Sequence, residues 1–249
     1  MSAANEEDWI KISKASNGGC FPRIFDCFDE AALEMALGLR DEIEAAGKKV
    51  LLRAVTIGVK SDEKHTERLF ALKYDSVTRI DYAAGDMYTP NLKAVLIADH
   101  IKKTGIPDYI FCGVQSGIGG SGMTGPMIAE YLGLPCVSNV SNVRSTSEAG
   151  LHVRISSDGG HASGRISGKA VLIVGNSVRG LLRIPTLKAR RAVKDKHTDV
   201  IKASVSDRYA GVGPVSVLRP PARGICRYIE GDAKDKAKGV FDIIRDGGV

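Results

Sequence analysis

Apolar residues recur along the chain with two different periods, one typical of helices and one typical of strands. A stripe at spacings of three and four predicts a first helix that buries Phe28, Ala32, Met35, Leu39 and Ile43. Asp26 can cap this helix and Gly47 can end it. Similar stripes predict helices at 66–74, 91–104, 124–132 and 232–245. Short β-branched or apolar runs predict strands at 48–58, 77–81, 108–113, 135–140 and 170–174.

The order of these elements predicts an α/β fold. Strands alternate with helices, and the connections are too long for hairpins, so we expect a mostly parallel sheet with helices on both faces. A DGG turn at Asp158–Gly160, between extended stretches at 153–157 and 164–167, predicts an antiparallel hairpin. Residues 199–230 are rich in Val, Gly and Pro. The sequence therefore predicts an α/β domain at 1–198 and a C-terminal arm and helix at 199–249.

Composition and charge are those of a soluble globular protein. The 249 residues are 43% hydrophobic and 26% charged, and 35 basic against 29 acidic residues give a net charge of +6. This excess suits an anionic small ligand or an acidic partner. Aromatic residues make up only 6% of the chain and do not interleave with its basic run, so an RNA-binding protein is disfavoured and no nucleic acid is expected.

Neither a membrane segment nor catalytic chemistry is predicted. No apolar run approaches the ~20 residues of a membrane helix, and the start MSAANEEDW lacks the apolar core of a signal peptide. The chain has no CxxC, HExxH or GxSxG motif, and its five cysteines are scattered: Cys20, Cys27, Cys112, Cys136 and Cys226. We expect a cytoplasmic protein without a metal site and without catalytic residues.

The segment with the clearest ligand chemistry is GVQSGIGGSGMT, between a predicted strand and a predicted helix. Its residues are Gly113, Val114, Gln115, Ser116, Gly117, Ile118, Gly119, Gly120, Ser121, Gly122, Met123 and Thr124. Glycines let backbone N–H groups turn toward a phosphate, and the helix adds its positive end. The segment matches neither a Walker A loop nor a nicotinamide fingerprint. The alternative is a tight connection without a ligand, but βα loops usually have only about 2–6 residues, and the greater length here favours a ligand.

A basic run follows at residues 183–196 and has two interpretations. It is either the solvated face of a helix or a docking and anion-binding element.

Five stretches resemble one family. They are IFDCFDEAAL at Ile24–Leu33, CGVQSGIGGSGMTGPMIA at Cys112–Ala129, the DGG turn followed by Ala170–Val174, RIPTLKARRAV at Arg183–Val193, and VLRPPAR at 217–223. In this order and spacing the chain resembles the β subunit of electron transfer flavoprotein over roughly residues 24–245.

The resemblance implies a fold of the adenine-nucleotide-hydrolase type and a heterodimer with an α subunit. That subunit would hold most of an FAD, and this chain would bind AMP or, as in electron-bifurcating relatives, a second FAD. The C-terminal arm would wrap the α subunit. A family member carries electrons from a flavoprotein dehydrogenase, such as an acyl-CoA dehydrogenase, to a downstream acceptor. It transforms no substrate and is not embedded in the membrane.

Site residues follow from the same resemblance. The nucleotide contacts would be Asp26, Cys27, Phe28, Asp29, Ile57 and the loop Gly113–Thr124, with Phe28 near the flavin. Ile184, just before Pro185, matches the apolar anchor that docks a dehydrogenase. An apolar residue on an exposed loop can be a hot spot for a transient partner, whereas the alternative is a core residue that leads into a helix.

The chain also departs from the family. The usual hydrophobic N-terminal strand has only Trp9–Ile12 as a counterpart. Glycines at 119, 120 and 122, with Met123, stand where acidic or polar residues are common, so backbone N–H groups and Thr124 would supply most nucleotide contacts. The rival interpretation is a stand-alone nucleotide-binding protein of the universal-stress-protein type, which would bind ATP as a homodimer.

Overall fold

The computed structural model describes residues 25–60, 63–81, 90–116, 120–146, 150–177, 180–203 and 228–246. The chain divides into two compact units, residues 1–215 and residues 216–249. The helices of the described ranges are α1 (Cys27–Ala45), α2 (Glu63–Ala71), α3 (Pro90–Thr104), α4 (Thr124–Leu132), α5 (Leu187–Ala192) and α6 (Ala233–Arg245). The strands are β1 (Arg53–Gly58), β2 (Ser76–Asp81), β3 (Tyr109–Gly113), β4 (Cys136–Ser145), β5 (Leu151–Ser157), β6 (Gly160–Ile166), β7 (Ala170–Val174) and β8 (Asp199–Lys202).

The described strands form two sheets. Three parallel strands make the smaller sheet in the order β1-β2-β8. The larger sheet has the order β3-β7-β4-β5-β6, in which β3 and β4 run parallel to β7 and the later neighbours are antiparallel. The predicted α/β class with a mostly parallel sheet is therefore confirmed, and the predicted hairpin is confirmed as β5 and β6.

Strand β7 shows how helices cover both faces of the larger sheet. All five of its residues are buried. Ala170, Leu172 and Val174 share a cluster with the apolar side chains of α1. Val171 and Ile173 pack with α4 instead. Because successive side chains of a strand point to opposite faces, α1 and α4 lie on opposite sides of the sheet.

Helix α1 begins where the sequence predicts and supports both sheets. The carboxylate of Asp26 caps it by accepting the N–H of Phe28 at 3.2 Å. One side of the helix, including Met35, packs on the larger sheet. Another side, including Leu37, packs in the cluster that contains Val77 of β2. Helix α1 therefore has two apolar stripes, where the sequence analysis identified one.

Two predicted strands have different bounds in the structure. The strand predicted at 48–58 begins only at Arg53, because the N–H of Leu52 donates to the Asp75 carboxylate at 2.8 Å and its carbonyl accepts the Asp75 N–H at 2.9 Å. These bonds hold Leu52 outside the ladder with β2. The strand predicted at 135–140 continues to Ser145, because it also pairs with β5 of the hairpin.

The helix predicted at 66–74 is displaced, and the reason lies at its C-terminus. Lys73 has a φ of 66°, and the N–H of Tyr74 donates to the carbonyl of Leu69 at 3.1 Å. This left-handed motif ends helices, so α2 ends at Ala71. Tyr74 instead turns back to α1, where its hydroxyl donates to the Leu33 carbonyl at 3.1 Å. The helices predicted at 91–104 and 124–132 are confirmed as α3 and α4.

The predicted N-terminal strand and the predicted C-terminal arm differ in how far the structure describes them. The counterpart of the N-terminal strand, Trp9–Ile12, lies outside the described residues. The first four residues of the predicted arm form β8 and pair with β2 in the first unit. The domain boundary at 198/199 and the wrapping of a partner stay predictions.

The second unit contains α6, the predicted C-terminal helix. Asp232 caps it by accepting the N–H groups of Lys234 and Asp235 at 2.8 and 2.9 Å. The predicted apolar side of α6 is largely exposed, with large side chains at Val240, Phe241 and Ile244. Within the described residues, no helix has the length and apolar character needed to cross a membrane.

Candidate functional site

The end of β3 touches the beginning of α1. A β-carbon built on Gly113 would lie 2.8 Å from Oδ1 of Asp29, 2.9 Å from the Asp29 nitrogen and 2.9 Å from the carbonyl carbon of Phe28. Since backbone atoms supply two of these contacts, no side chain fits at position 113 without moving α1 away from β3. Two segments predicted to bind a nucleotide, 26–29 and 113–124, therefore meet at Gly113.

Asp29 has an unusual environment at this contact. The residue as a whole is exposed, but its carboxylate lies against Gly113. Loss of water around the carboxylate raises the pKa of Asp29 above its ordinary value, and the charge of Asp26 raises it further. The Gly113 N–H and the charge of Lys93 oppose this rise without cancelling it. Asp29 is thus protonated more readily than a solvated carboxyl group.

The segment from Gly113, the last residue of β3, to Thr124 is called the glycine loop. Gly120 and Gly122 have φ angles of 49° and 64°, in the left-handed region that side chains rarely adopt. A β-carbon on Gly122 would also lie 3.1 Å from the carbonyl oxygen of Val114. Both glycines therefore allow a backbone conformation that a residue with a side chain would rarely adopt. Gly117, Ile118 and Gly119 lie outside the described residues.

Helix α4 begins at Thr124, the last residue of the glycine loop. Met123 precedes it and provides no side-chain cap, and Pro126 at the third helical position has no N–H. The N–H groups of Thr124 and Gly125 donate to no atom of the described chain. The unpaired N–H groups and the Thr124 hydroxyl can donate hydrogen bonds to a phosphate, and the positive end of the helix favours its negative charge. The residues present therefore fit the phosphate of AMP or the diphosphate of FAD.

The predicted site residues do not all come together. Gln115, Ser116 and Ser121 are exposed on the glycine loop. Ile57 packs instead on a cluster around Ile80 of the smaller sheet. The contacts described above join the glycine loop to the first turn of α1, and Ile57 belongs to a separate cluster.

The second predicted site lies on residues 181–187, called the docking loop below. The side chains of Leu181 and Ile184 are each 78% exposed, and Leu187 is 64% exposed. Leu182 and Pro185 between them are buried. The alternative that Ile184 is a core residue is therefore wrong, whereas its docking role stays a prediction.

Arg183, in the middle of the docking loop, points back onto α1. Its Nη2 donates to Oε1 of Glu34 at 2.7 Å, its Nε lies 3.0 Å from both oxygens of Glu34, and its Nη1 donates to Asp41 at 2.6 Å. Its backbone N–H also donates to Glu34 at 3.0 Å. The hydrogen bonds to Glu34 raise the pKa of Arg183 above its ordinary value. Burial alone would raise the pKa of Asp41, but hydrogen bonds from Arg40 and Arg183 outweigh it and lower that pKa.

Sequence reasoning missed Glu34, which is only 5% exposed. A carboxylate on an amphipathic helix usually faces solvent. The available signal was the second apolar stripe of α1, through Leu33 and Leu37, because a helix with two apolar stripes leaves few positions in water. A buried carboxylate then requires a charged partner.

Metal binding and thiol chemistry receive no support from the described side chains. Within those ranges, no group of three or more His, Cys, Asp or Glu side chains could hold a metal ion. Cys27, Cys112 and Cys136 are free thiols. Burial raises the pKa of Cys112 to about 12, so its thiol is not a ready nucleophile at neutral pH.

The chain is similar in sequence to several known proteins, two of which are named as electron transfer subunits. The chain is 26% identical over 242 residues to Protein FixA of Bradyrhizobium diazoefficiens, covering 90% of this chain and 81% of that protein. It is 22% identical over 230 residues to the electron transfer flavoprotein subunit beta of Bacillus subtilis, covering 89% and 86%. It is 29% identical over 136 residues to the acryloyl-CoA reductase electron transfer subunit gamma of Anaerotignum propionicum, covering 53% and 48%.

The sequence profile of the electron transfer flavoprotein domain matches residues 22–206. This range includes α1, the glycine loop and the docking loop. With most of its length matched by that profile, the chain belongs to the electron transfer flavoprotein domain family.

Proposed function

We propose that this chain is the β subunit of an electron transfer flavoprotein, an electron carrier that encloses an FAD together with an α subunit and itself binds AMP or a second FAD. The family profile and the relatives named above support a β-like role in flavoprotein electron transfer. The contact of Gly113 with the first turn of α1 is the main structural support. It joins the two segments that the family resemblance assigns to the nucleotide.

The glycine loop and the start of α4 would hold the nucleotide phosphate. The free N–H groups of Thr124 and Gly125 would donate to it, together with the Thr124 hydroxyl. Phe28, half-buried at the start of α1, would lie near the flavin of the α subunit. When bound, FAD supplies the redox chemistry, and this chain's residues bind it, orient it and exclude water.

The docking loop would contact a flavoprotein dehydrogenase, such as an acyl-CoA dehydrogenase. Residues 181–198 contain six basic residues and one acidic residue, a net charge of +5 in a chain whose total is +6. Lys188, Arg190, Arg191 and Lys194 are exposed and form no ion pair with the described side chains. A positive surface beside exposed apolar residues favours a partner face that is acidic around an apolar pocket.

The C-terminal arm and α6 would wrap the α subunit. The exposed side chains of Val240, Phe241 and Ile244 lie on one side of α6 and give it an apolar face. Such a face is stabilised when a partner covers it.

The test is co-expression with the α subunit, purification of the heterodimer and extraction of its nucleotides. We expect FAD and an adenylate to be recovered. Gly120→Asp adds a negative charge, and Thr124→Val removes a hydroxyl donor. Each should lower the adenylate content by about tenfold while leaving assembly and FAD content unchanged.

Matched control variants make the same chemical changes elsewhere. Gly159→Asp lies in the hairpin turn, where a side chain meets open space, and Thr104→Val lies at the end of α3; neither should change the adenylate content. A pure heterodimer without flavin would contradict the proposal. A uniform homodimer that retains ATP would instead support the stand-alone nucleotide-binding protein.

A further inference from the structure

The docking loop presents its apolar side chains from an irregular segment. Residues 181–186 belong to no helix or strand, and α5 begins only at Leu187. Ordering a free loop on binding opposes association, because each immobilised segment loses conformational entropy. A loop that is already ordered before the partner arrives avoids this cost.

The residues that precede Ile184 are in fact attached to the body of the first unit, and Pro185 after it is buried. Leu182 is 4% exposed and packs in the cluster that contains Leu37 of α1. Nη2 of Arg68 donates to the carbonyl of Leu182 at 3.3 Å and to the carbonyl of Arg183 at 3.2 Å. The loop backbone is thus held by a buried side chain and by hydrogen bonds from α2.

Arg183 adds a third attachment, through ion pairs with two carboxylates of α1. Glu34 and Asp41 lie seven residues apart, two turns of α1, so their carboxylates are on the same helix face. One planar guanidinium spans both, at 2.7 Å from Glu34 and 2.6 Å from Asp41. A lysine has a single nitrogen and cannot form both bonds with the same geometry. The site therefore requires an arginine rather than any positive charge.

We propose that Arg183 is a positioning residue for docking: its ion pairs with Glu34 and Asp41 hold Leu181, Ile184 and Leu187 in their binding arrangement on the free protein. This inference rests on the proposed docking role of Ile184. It assigns to Arg183 no contact with the partner.

The experiment uses the heterodimer with its α subunit. The probe is whichever of a panel of purified acyl-CoA dehydrogenases reduces the heterodimer with the highest kcat/KM. For each variant, kcat and the KM for the heterodimer are measured, and hydrogen exchange of the amides at 182–187 is measured without the dehydrogenase. The variants are Ile184→Ala, Arg183→Met and Arg183→Lys, and Arg154→Met, an exposed arginine on β5, is the control.

We expect Ile184→Ala to raise KM by at least about tenfold without changing exchange, because it removes an anchor from an ordered loop. Arg183→Met should raise KM about three- to tenfold, leave kcat within about twofold, and accelerate exchange at 182–187. Arg183→Lys should give a smaller increase in KM, and it keeps the experiment decisive if the methionine variant fails to fold. The control should change neither quantity.

The outcomes separate this inference from the proposed function. If Ile184→Ala leaves KM unchanged, the proposed docking role of Ile184 is wrong. If no dehydrogenase of the panel reduces the wild-type heterodimer, an acyl-CoA dehydrogenase as the partner is wrong. In both cases the exchange data still test whether Arg183 orders the loop. If Ile184→Ala raises KM but both Arg183 variants leave KM and exchange unchanged, docking stands and the positioning role is wrong.

Discussion

The glycine loop and the docking loop both rest on α1, but opposite kinds of contact hold them there. Gly113 touches the first turn of the helix because it has no side chain. Arg183 reaches the middle of the same helix with a long charged side chain that binds Glu34 and Asp41. The first contact is steric and involves mainly backbone atoms. The second is ionic and involves mainly side chains, with one further hydrogen bond from the Arg183 backbone N–H to Glu34.

This difference predicts two different responses to change. A close backbone contact leaves no space for even one methyl group, so any substitution there should be severe. An ion pair weakens gradually as a partner is neutralised, as salt is added or as a carboxylate is protonated. Sterically held and ionically held regions of one unit should therefore be distinguishable by mutation and by pH.

The largest effect on stability is expected at Gly113. Gly113→Ala places a methyl group within 2.9 Å of α1 backbone atoms, and it should lower the free energy of unfolding by about 2–3 kcal/mol. Urea denaturation of the purified chain measures this change. Gly159→Ala is the control, since a side chain there meets no atom within 4 Å. Equal stability of Gly113→Ala and wild type would show that the two backbones are not in contact.

A smaller effect is expected at Asp41, whose side chain is 46% exposed. Asp41→Asn should lower the free energy of unfolding by about 0.5 kcal/mol at neutral pH. Because the folded protein lowers the pKa of Asp41, its contribution is present above the unfolded-state pKa of about 4 and is lost as pH falls through the folded-state pKa. Urea denaturation should therefore show the difference from wild type disappearing in acid.

The control for this prediction is Asp195→Asn, which neutralises an exposed aspartate just after α5. It should leave the free energy of unfolding at neutral pH unchanged, because Asp195 forms no ion pair with the described side chains. A stability difference at Asp41 that increased toward acid would mean that its carboxylate is not stabilised by the two arginines.

The last prediction concerns the reactivity of two thiols. Cys112 immediately precedes Gly113, and its buried thiol has a pKa of about 12, whereas Cys136 is exposed. Iodoacetamide at neutral pH should label Cys136 at least about ten times faster than Cys112, as peptide mapping would show. Gly113→Ala should accelerate labelling of Cys112, whereas Arg183→Met should not. Equal acceleration by both would mean that the two regions open together.

Local signals in the sequence were sufficient for much of the fold. The apolar period and the Asp26 cap predicted the start of α1, and α3 and α4 were found within one residue of their bounds. Errors arose where distant groups decide an element's end. Asp75 removes Leu52 from β1, and pairing with β5 extends β4. The spacing of apolar residues within a segment does not reveal hydrogen bonds to distant residues.

The glycine loop could be predicted from local sequence, whereas the contacts of the docking loop could not. The glycine loop was identified because glycines between a strand and a helix indicate backbone chemistry directly. The partner of Arg183 was not identified, because Glu34 lies 149 residues away in the chain. The apolar residue Ile184 was recognised by resemblance, and the acidic residues that fix its loop were not.

Because the glycine loop and the docking loop both contact α1, neither loop can be replaced by that of a relative without matching changes in α1. A chimera that receives the 181–187 segment of a relative should also receive that relative's residues at positions 34 and 41, so that the transplanted loop keeps its counterions. The start of the same helix must meanwhile keep its fit to Gly113. To change the partner preference of this protein, the residues of α1 that contact the docking loop would have to be changed together with the loop.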